Sequence, residues 1–190
     1  SEFSGSIVGS GGLVKTGTGV LTLSGDNGYF GDTIVNQGTL RAGAINVFSE
    51  NSAVTVNANG VLDLNNFDQT IVDLSGTGEV VLGSATLTVT SNTTVNDFTI
   101  TGTGGVTKTG NGVLTLSGSD SDYTGDTIVN EGTLQAGVPN AFSPNSPVTV
   151  EGDGTLDLNS NNQAIGGLSG SGSVTLGSAT LTVDNGVDNA

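Results

Sequence analysis

The sequence contains no cysteine, histidine, methionine or tryptophan among its 190 residues. Without histidine or cysteine, the side chains that most often act as general bases, nucleophiles and transition-metal ligands are missing. The chain is therefore not expected to be an enzyme. We predict no catalytic residue, no metal ligand and no cofactor.

Positive charge is equally scarce, with 3 Lys and Arg residues against 18 Asp and Glu residues and a formal net charge of −15. Proteins that bind nucleic acids use Lys and Arg to replace the counterions of the phosphates, so we expect no nucleic-acid partner. The charge argues equally against an anionic membrane surface. Long apolar runs are also absent, since Val80-Val81-Leu82 is typical of the longest and a membrane span needs roughly 20 residues. No signal peptide is expected, because no basic segment precedes an apolar stretch.

What the sequence does contain is 32 glycines, many β-branched residues and a long internal repeat. β-branched residues next to Gly and Asn predict many short strands joined by tight turns. The segment Gly19 to Gly25 recurs unchanged at 112–118, an offset of 93, and Gly31 to Asn36 recurs at 125–130, an offset of 94. The extra residue therefore lies between Gly118 and Tyr123, in a turn, where a repeat protein tolerates insertions.

Each long repeat divides into short strands in which apolar and polar residues alternate, with boundaries at residues such as Gly60. Examples are Val54-Thr55-Val56, Leu62-Asp63-Leu64, Leu87-Thr88-Val89 and Leu181-Thr182-Val183. The apolar residues would face one side and the central Asp or Thr the other. A sandwich of antiparallel strands also fits such alternation, but nearly identical segments favour a solenoid, in which equivalent positions meet equivalent neighbours. At roughly 20 to 25 residues per coil, we predict an all-β parallel solenoid of about eight rungs, about four in each long repeat. Its first long repeat would cover residues 1–103 and its second 104–190.

Two sets of segments recur in the same order along the chain. They are Gly9 to Gly25, Tyr29 to Val35 and Gly38 to Leu40 in the first copy, and Gly104 to Gly110, Val113 to Gly118, Tyr123 to Gly125 and Gly132 to Leu134 in the second. This pattern resembles the autotransporter-associated β-strand repeat of Gram-negative passenger domains. The connecting stretches, such as Leu74 to Gly78, also resemble the rungs of that family, so the resemblance covers nearly the whole chain.

The resemblance implies a right-handed parallel β-helix displayed outside the outer membrane and exported through a C-terminal outer-membrane β-barrel. Passengers of this kind commonly serve adhesion, autoaggregation or biofilm formation, often in virulence, and the repeat is thought to assist secretion. The lack of cysteine agrees with export, because a periplasmic disulfide would close a loop that has to pass through a narrow pore. The chain shows no barrel strands of its own, as expected of a segment from a longer protein.

The two tyrosines are the candidate surface-binding residues. Tyr29 and Tyr123 follow turns rich in Gly, Asp and Asn, and exposed rings there could stack on sugars. The favoured alternative is that each ring packs against its turn and keeps its hydroxyl in water. Lys15 and Lys108 also occupy matching positions. For them a binding role competes with the favoured arrangement, in which the stem covers apolar surface and the ammonium stays in water.

Acidic residues suggest two further kinds of site. A calcium site could draw on loop carboxylates, but their spacing matches neither the EF-hand loop nor the Gly-Gly-x-Gly-x-Asp nonapeptide. The residues concerned are Asp26, Asp32, Asp120, Asp122 and Asp126. A pair of carboxylates could hydrolyse glycosides, yet Asp63 and Asp157 occupy the same Leu-Asp-Leu context in different copies, which is typical of a repeated scaffold residue.

Two functional hypotheses remain, from different classes. The first is an interaction module that binds a host surface glycoprotein, a glycan or matrix, or identical passengers on neighbouring cells. The polar outer face would offer many weak contacts, and multivalency would raise their avidity. The second is a purely structural spacer that aids secretion and presents a distal effector domain.

Overall fold

The computed structural model describes residues 1–90 and 93–184, and every regular element in that part of the chain is a β-strand. No helix among these residues is long and apolar enough to cross a membrane. The strands are β1 (Glu2–Phe3), β2 (Val8–Gly9), β3 (Leu13–Lys15), β4 (Val20–Leu23), β5 (Gly28–Tyr29), β6 (Thr33–Ala42), β7 (Ala53–Asp63), β8 (Gln69–Ile71), β9 (Asp73–Gly76), β10 (Glu79–Gly83), β11 (Leu87–Val89), β12 (Thr93–Asn96), β13 (Thr99–Gly102), β14 (Val106–Lys108), β15 (Val113–Leu116), β16 (Thr127–Ala136), β17 (Pro147–Asp157), β18 (Gln163–Ile165), β19 (Gly167–Gly170), β20 (Ser173–Thr175) and β21 (Leu181–Val183).

The strands stack in parallel ladders that form the three faces of a rod. Face A begins with β1 and β4 and passes through the C-terminal halves of β6 and β7 to β10 and β13. Face B comprises β3, the N-terminal halves of β6 and β7, β9, β12, β15, the C-terminal halves of β16 and β17, and β20. Face C runs from β8 through β11, β14 and the N-terminal halves of β16 and β17 to β19. The chain therefore winds around the rod and forms no hairpins between these strands.

Face B contains nine stacked strands, so the described residues form about nine coils. Partner residues in neighbouring coils are 18 residues apart where β7 meets β10, from Leu62 to Val80, and 22 apart where β6 meets β7, from Leu40 to Leu62. The predicted parallel solenoid is confirmed, and nine coils are close to the eight predicted. Some coils are shorter than the predicted 20 to 25 residues because the turns between their strands are short. Strands about 4.8 Å apart give a rod roughly 40 Å long.

Inward-pointing Val, Leu and Ile side chains fill the rod, layer upon layer. On face A, Leu40, Leu62, Val80 and Ile100 stack in successive coils, and each is at most 1% exposed. In the three-residue strand β11 the first and last residues are buried and the central Thr88 is half-buried, as the alternation predicted. Burial of such an aliphatic side chain stabilises the fold by about 1.5 to 3 kcal/mol. The stacked apolar layers are therefore the main stabilising feature of the rod.

The long strands β6, β7, β16 and β17 each bend across a corner and serve two faces. The register between β6 and β7 shifts from Val35 to Gln37 at that corner. The sequence predicted separate strands on either side of Gly60, but β7 continues because Gly60 keeps its pairing with Gly38. Residues 103 and 104, where the two long repeats were divided, lie between β13 and β14.

Candidate functional surface

The two candidate tyrosines lie inside the rod, with Tyr29 1% exposed and Tyr123 0% exposed. The hydroxyl of Tyr29 is 2.6 Å from Thr33 Oγ1, and that of Tyr123 is 2.6 Å from Thr127 Oγ1. Burial raises the pKa of both phenols, and the hydrogen bonds with the threonines partly oppose that rise. A covered ring cannot stack on a sugar, so the burial contradicts the surface-binding expectation. The favoured alternative, in which each hydroxyl stays in water, is wrong on that point, because both hydroxyls are buried.

Each tyrosine belongs to a hydroxyl network that fastens an irregular loop to the coil before it. Thr33 Oγ1 lies 2.9 Å from Ser52 Oγ, and Ser49 Oγ donates to the Tyr29 carbonyl oxygen at 2.6 Å. The second copy repeats these contacts between Thr127 and Ser146 and between Ser143 and Tyr123, at 2.8 and 2.6 Å. A sequence signal for this network exists, since a serine lies 19 residues beyond the threonine in both copies, close to one coil.

A buried glutamine holds the same loop from the following coil. Gln69 is 1% exposed, and its Oε1 accepts a hydrogen bond from the Val47 amide at 2.9 Å while its Nε2 donates to the Ala44 carbonyl at 2.8 Å. Gln163 makes the equivalent contacts in the second copy. Because its hydrogen-bonding groups are paired, the glutamine is a structural clip between neighbouring coils.

Lys15 and Lys108 are buried, at 7% and 0% exposure. Lys15 Nζ donates to the carbonyl oxygens of Thr16, Gly17 and Gln37 at 3.0, 2.7 and 2.9 Å. The predicted ammonium in water is therefore wrong, because backbone carbonyls at the corner replace the water around each ammonium.

Lys108 Nζ makes the matching contacts to Thr109, Gly110 and Glu131 at 2.6, 2.6 and 3.4 Å. Burial lowers the pKa of Lys108, and the negative charges of Glu131 and Asp73 partly offset the effect. The ammonium thus has the same structural role in both copies.

The outer surface of the described residues carries lines of outward side chains, most of them polar. On face C, the outward residue of each strand forms a line that we call the hydroxyl stripe, in which one isoleucine interrupts the hydroxyl side chains: Thr70, Thr88, Thr107, Ile128, Thr149 and Ser169. Ser169 Oγ lies 2.8 Å from Thr149 Oγ1. The stripe extends over six coils, about 24 Å at the spacing of parallel strands.

Each copy also has a short outward line of bonded polar side chains, and each of these lines contains one of the two aspartates of the glycosidase hypothesis. On face A, Arg41 pairs with Asp63 at 2.7 Å. On face B, Gln135 Nε2 donates to Asp157 at 2.8 Å and its Oε1 accepts from Thr115 at 3.1 Å. Asp63 and Asp157 therefore lie on different faces, and each is bonded along its own face. The structure does not bring them together as a catalytic pair.

The loop aspartates do not assemble a recognisable metal site in the described part of the chain. Among residues 1–90 and 93–184, no group of three or more Asp and Glu side chains is placed to hold a metal ion. Calcium requires six to eight converging oxygen ligands. The calcium hypothesis thus gains no support from the arrangement of Asp26, Asp32, Asp120, Asp122 and Asp126.

Comparisons with known proteins show that the sequence is similar to a repeat family and to segments of several bacterial proteins. Residues 13–42 and 106–136 match the Passenger-associated-transport-repeat family. The adhesin BmaC autotransporter of Brucella suis biovar 1 (strain 1330) is 46% identical over 141 residues, which cover 70% of the chain. An extracellular serine protease of Serratia marcescens is 52% identical over 54 residues, 27% of the chain. The uncharacterized lipoprotein YdeK of Escherichia coli (strain K12) is 31% identical over 170 residues, 88% of the chain.

The chain spans only a small part of these relatives. The aligned segments are 4% of the adhesin, 5% of the protease and 12% of the lipoprotein. No solved structure matches the chain.

Proposed function

Because both long repeats carry the passenger-associated transport repeat, the chain is an autotransporter passenger sequence, and we propose that it is an adhesive stalk. In this proposal the β-helix stands outside the outer membrane of a Gram-negative bacterium and makes adhesive contacts along its outward polar side chains. Its partners would be a host surface glycoprotein, a glycan or matrix, or identical passengers on neighbouring cells. Attachment to the cell would come from a C-terminal outer-membrane β-barrel in the full-length protein.

The observation that carries the proposal is the match to an adhesin over 70% of the chain. The outward side chains suit weak, repeated contacts, since the hydroxyl stripe presents one half-buried or exposed Thr, Ser or Ile per coil along face C. Single hydrogen bonds to such groups are weak, but simultaneous contacts along one rod raise avidity.

A purely structural spacer is the second candidate, and two observations favour it. A 54-residue segment is 52% identical to part of an extracellular serine protease, so this kind of coil also occurs in a protein named for another activity. In addition, several outward polar groups bond to each other along the rod, such as Gln135 to Asp157 and Thr149 to Ser169. Neither candidate gives this chain an enzymatic role, and we propose that it has none.

The test is binding of the purified, fluorescently labelled chain to host cells and to bacteria that display the same passenger, measured by flow cytometry. Saturable binding to either cell type is expected if the stalk is adhesive. No binding to either, from a chain that circular dichroism shows to be folded, would contradict adhesion and leave the spacer.

Paired variants then locate the contact. Thr88→Arg with Thr107→Arg places bulk on two adjacent coils of the hydroxyl stripe. Val81→Arg with Thr101→Arg does the same on face A and serves as the matched control. We expect the face C variant to lose at least half of the saturable binding and the face A variant to keep it. Equal loss in both would count against the stripe as the contact surface.

A further inference from the structure

The two long repeats do not place equivalent residues on the same face of the rod. The ladder on face B that contains Lys15 continues through Val35, Val56, Gly76 and Asn96 to Leu116, five coils further along. The counterpart of Lys15 in the second copy is Lys108. Lys108 pairs with Val89 and Val129, which belong to face C.

The same rotation applies to the other strands. The outward line with Arg41 and Asp63 lies on face A, whereas its counterpart with Gln135 and Asp157 lies on face B. Five full coils from Lys15 lead to Leu116, at the end of β15. Lys108 lies on β14, the strand just before β15, and therefore one face, or one third of a coil, short of five coils. One long repeat thus measures four and two-thirds coils.

Local contacts survive this change of face, so they depend on neighbouring coils and not on a particular side of the rod. Both lysines keep three carbonyl contacts, two of them within two residues of the lysine. Both tyrosines keep a 2.6 Å contact with the threonine four residues later. Strands with the pattern apolar–polar–apolar can also stack on one another, as Leu114 on Leu134 and Val106 on Leu87. A strand sequence can therefore serve on whichever face it reaches.

We infer that the long repeat is a screw unit, which both extends the stalk and rotates the next unit about the rod axis. At about 4.8 Å per coil, one unit adds about 22 Å and a rotation of a third of a turn. Three units, or 14 coils, restore the original direction. A partner that recognises one surface of the repeat meets it on different sides of the rod in successive copies. Gain or loss of one repeat reorients any domain beyond it. This consequence rests on the proposed stalk function, whereas the screw geometry rests on the strand pairings alone.

The rotation can be measured with spin labels in the intact chain, because the chain has no cysteine of its own. Asn36 and Asn130 are equivalent and exposed residues, so Asn36→Cys with Asn130→Cys tests the screw. The control pair is Asn36→Cys with Ser117→Cys, because Asn36 and Ser117 come directly after Val35 and Leu116 on one ladder, four coils apart. Double electron–electron resonance gives the distance within each pair.

The two geometries predict different distances. Four coils along one corner separate the control pair by about 19 Å, and the extra two-thirds of a coil alone would add about 3 Å for the test pair. Because the test pair also lies on different corners, we expect its distance to exceed the control by at least ~5 Å. A difference of 3 Å or less, from variants with unchanged circular dichroism, would overturn the screw. This result does not depend on any binding activity, so failure of the adhesive proposal would leave it untouched.

Discussion

At the residue scale, the polar side chains that the sequence marks as unusual are part of the internal structure. Lys108 is wholly buried, and its ammonium replaces water with three carbonyl oxygens at a corner. Such an arrangement is stable only while each partner is present, because a buried carbonyl without a donor bears its full desolvation cost. The repetition of the same contacts at Lys15 indicates a rule of construction and not a binding site.

Replacing Lys108 tests this rule. Lys108→Met keeps much of the apolar stem but leaves carbonyl oxygens at the corner without their donor, so we expect a loss of about 2 to 3 kcal/mol in the free energy of unfolding. Arg41→Met is the control, because the Arg41 side chain is 41% exposed and makes one ion pair, so its loss should cost less than about 1 kcal/mol. Urea denaturation followed by circular dichroism measures both. Equal costs would show that the ammonium has no special structural role.

The tyrosines allow a test of burial by pH. Burial raises the pKa of Tyr29 and Tyr123 above the ordinary value of about 10. The unfolded chain therefore loses its phenolic protons first as the pH rises. The stability from these groups is fully present below about pH 10 and is lost as the pH rises through the folded pKa values.

Tyrosinate absorbance reports only these two residues, because the chain has two tyrosines and no tryptophan. We expect ionisation to begin clearly above pH 10 in the folded chain and to coincide with loss of the β-sheet signal. The variant Tyr29→Phe assigns the remaining transition to Tyr123. Ionisation near pH 10 in a chain that stays folded would contradict the burial of the rings.

At the element scale, alternation predicted the strands well but not their length or their number per repeat. Leu87–Val89 and Leu181–Val183 are strands as expected. The strand β7 joins two predicted strands, because parallel pairing continues through Gly60 despite its lack of a side chain. The coil length could not be derived, since turns of different length give the same strand pattern. For this reason the sequence predicted about four coils per repeat where the structure has four and two-thirds.

The surface-binding hypothesis for the tyrosines, which was the less favoured one, fails for a related reason. Turn-rich flanks around Tyr29 and Tyr123 left open both a ring exposed to sugars and a ring packed against its turn, because the direction of the ring depends on the neighbouring coil that covers it. Ser52 and Ser146, which cover the hydroxyl networks, are 19 residues beyond Thr33 and Thr127. Only a known coil length makes that spacing meaningful.

Glycine positions at the corners give an element-scale prediction. Gly170 has a φ of +107°, and a Cβ there would overlap the Val150 carbonyl oxygen. We expect Gly170→Ala to destabilise the chain by at least about 2 kcal/mol, through backbone strain and the clash with the preceding coil.

Gly152 provides the matched control, because it lies at the same corner in the preceding coil, two residues after the Val150 that pairs with Gly170. A Cβ at Gly152 would meet only Ser171 Oγ, at an ordinary 3.6 Å. We expect Gly152→Ala to change the melting temperature little and Gly170→Ala to lower it by several degrees in thermal scans. Similar melting temperatures for the two variants would mean that the corner can relax and that close contact between coils is not required there.

At the scale of the whole molecule, charge is the least balanced property. The net charge of −15 resides on a rod in which both lysines are buried. All three Lys and Arg residues lie in the described part of the chain, and of these Arg41 has a substantially exposed side chain. Association of identical rods therefore has to overcome mutual repulsion, which salt weakens. Self-association is thus expected to be stronger at physiological ionic strength than at low salt.

Repulsion within one rod gives the last prediction. Raising sodium chloride from about 10 mM to 150 mM shortens the screening length from about 30 to 8 Å, so the melting temperature should rise. A gain on the order of 1 kcal/mol corresponds to about 2 to 4 °C for a chain of this size.

Calcium chloride at the same ionic strength distinguishes the screening of charge repulsion from the binding of calcium at a specific site. We expect the melting temperature to rise equally in calcium chloride and in chelator-treated sodium chloride, because the described residues hold no cluster of three or more acidic side chains placed for a metal. A distinctly larger rise with calcium would instead indicate an irregular calcium site among the loop aspartates, and the stalk would then be stiffened by the calcium of its surroundings.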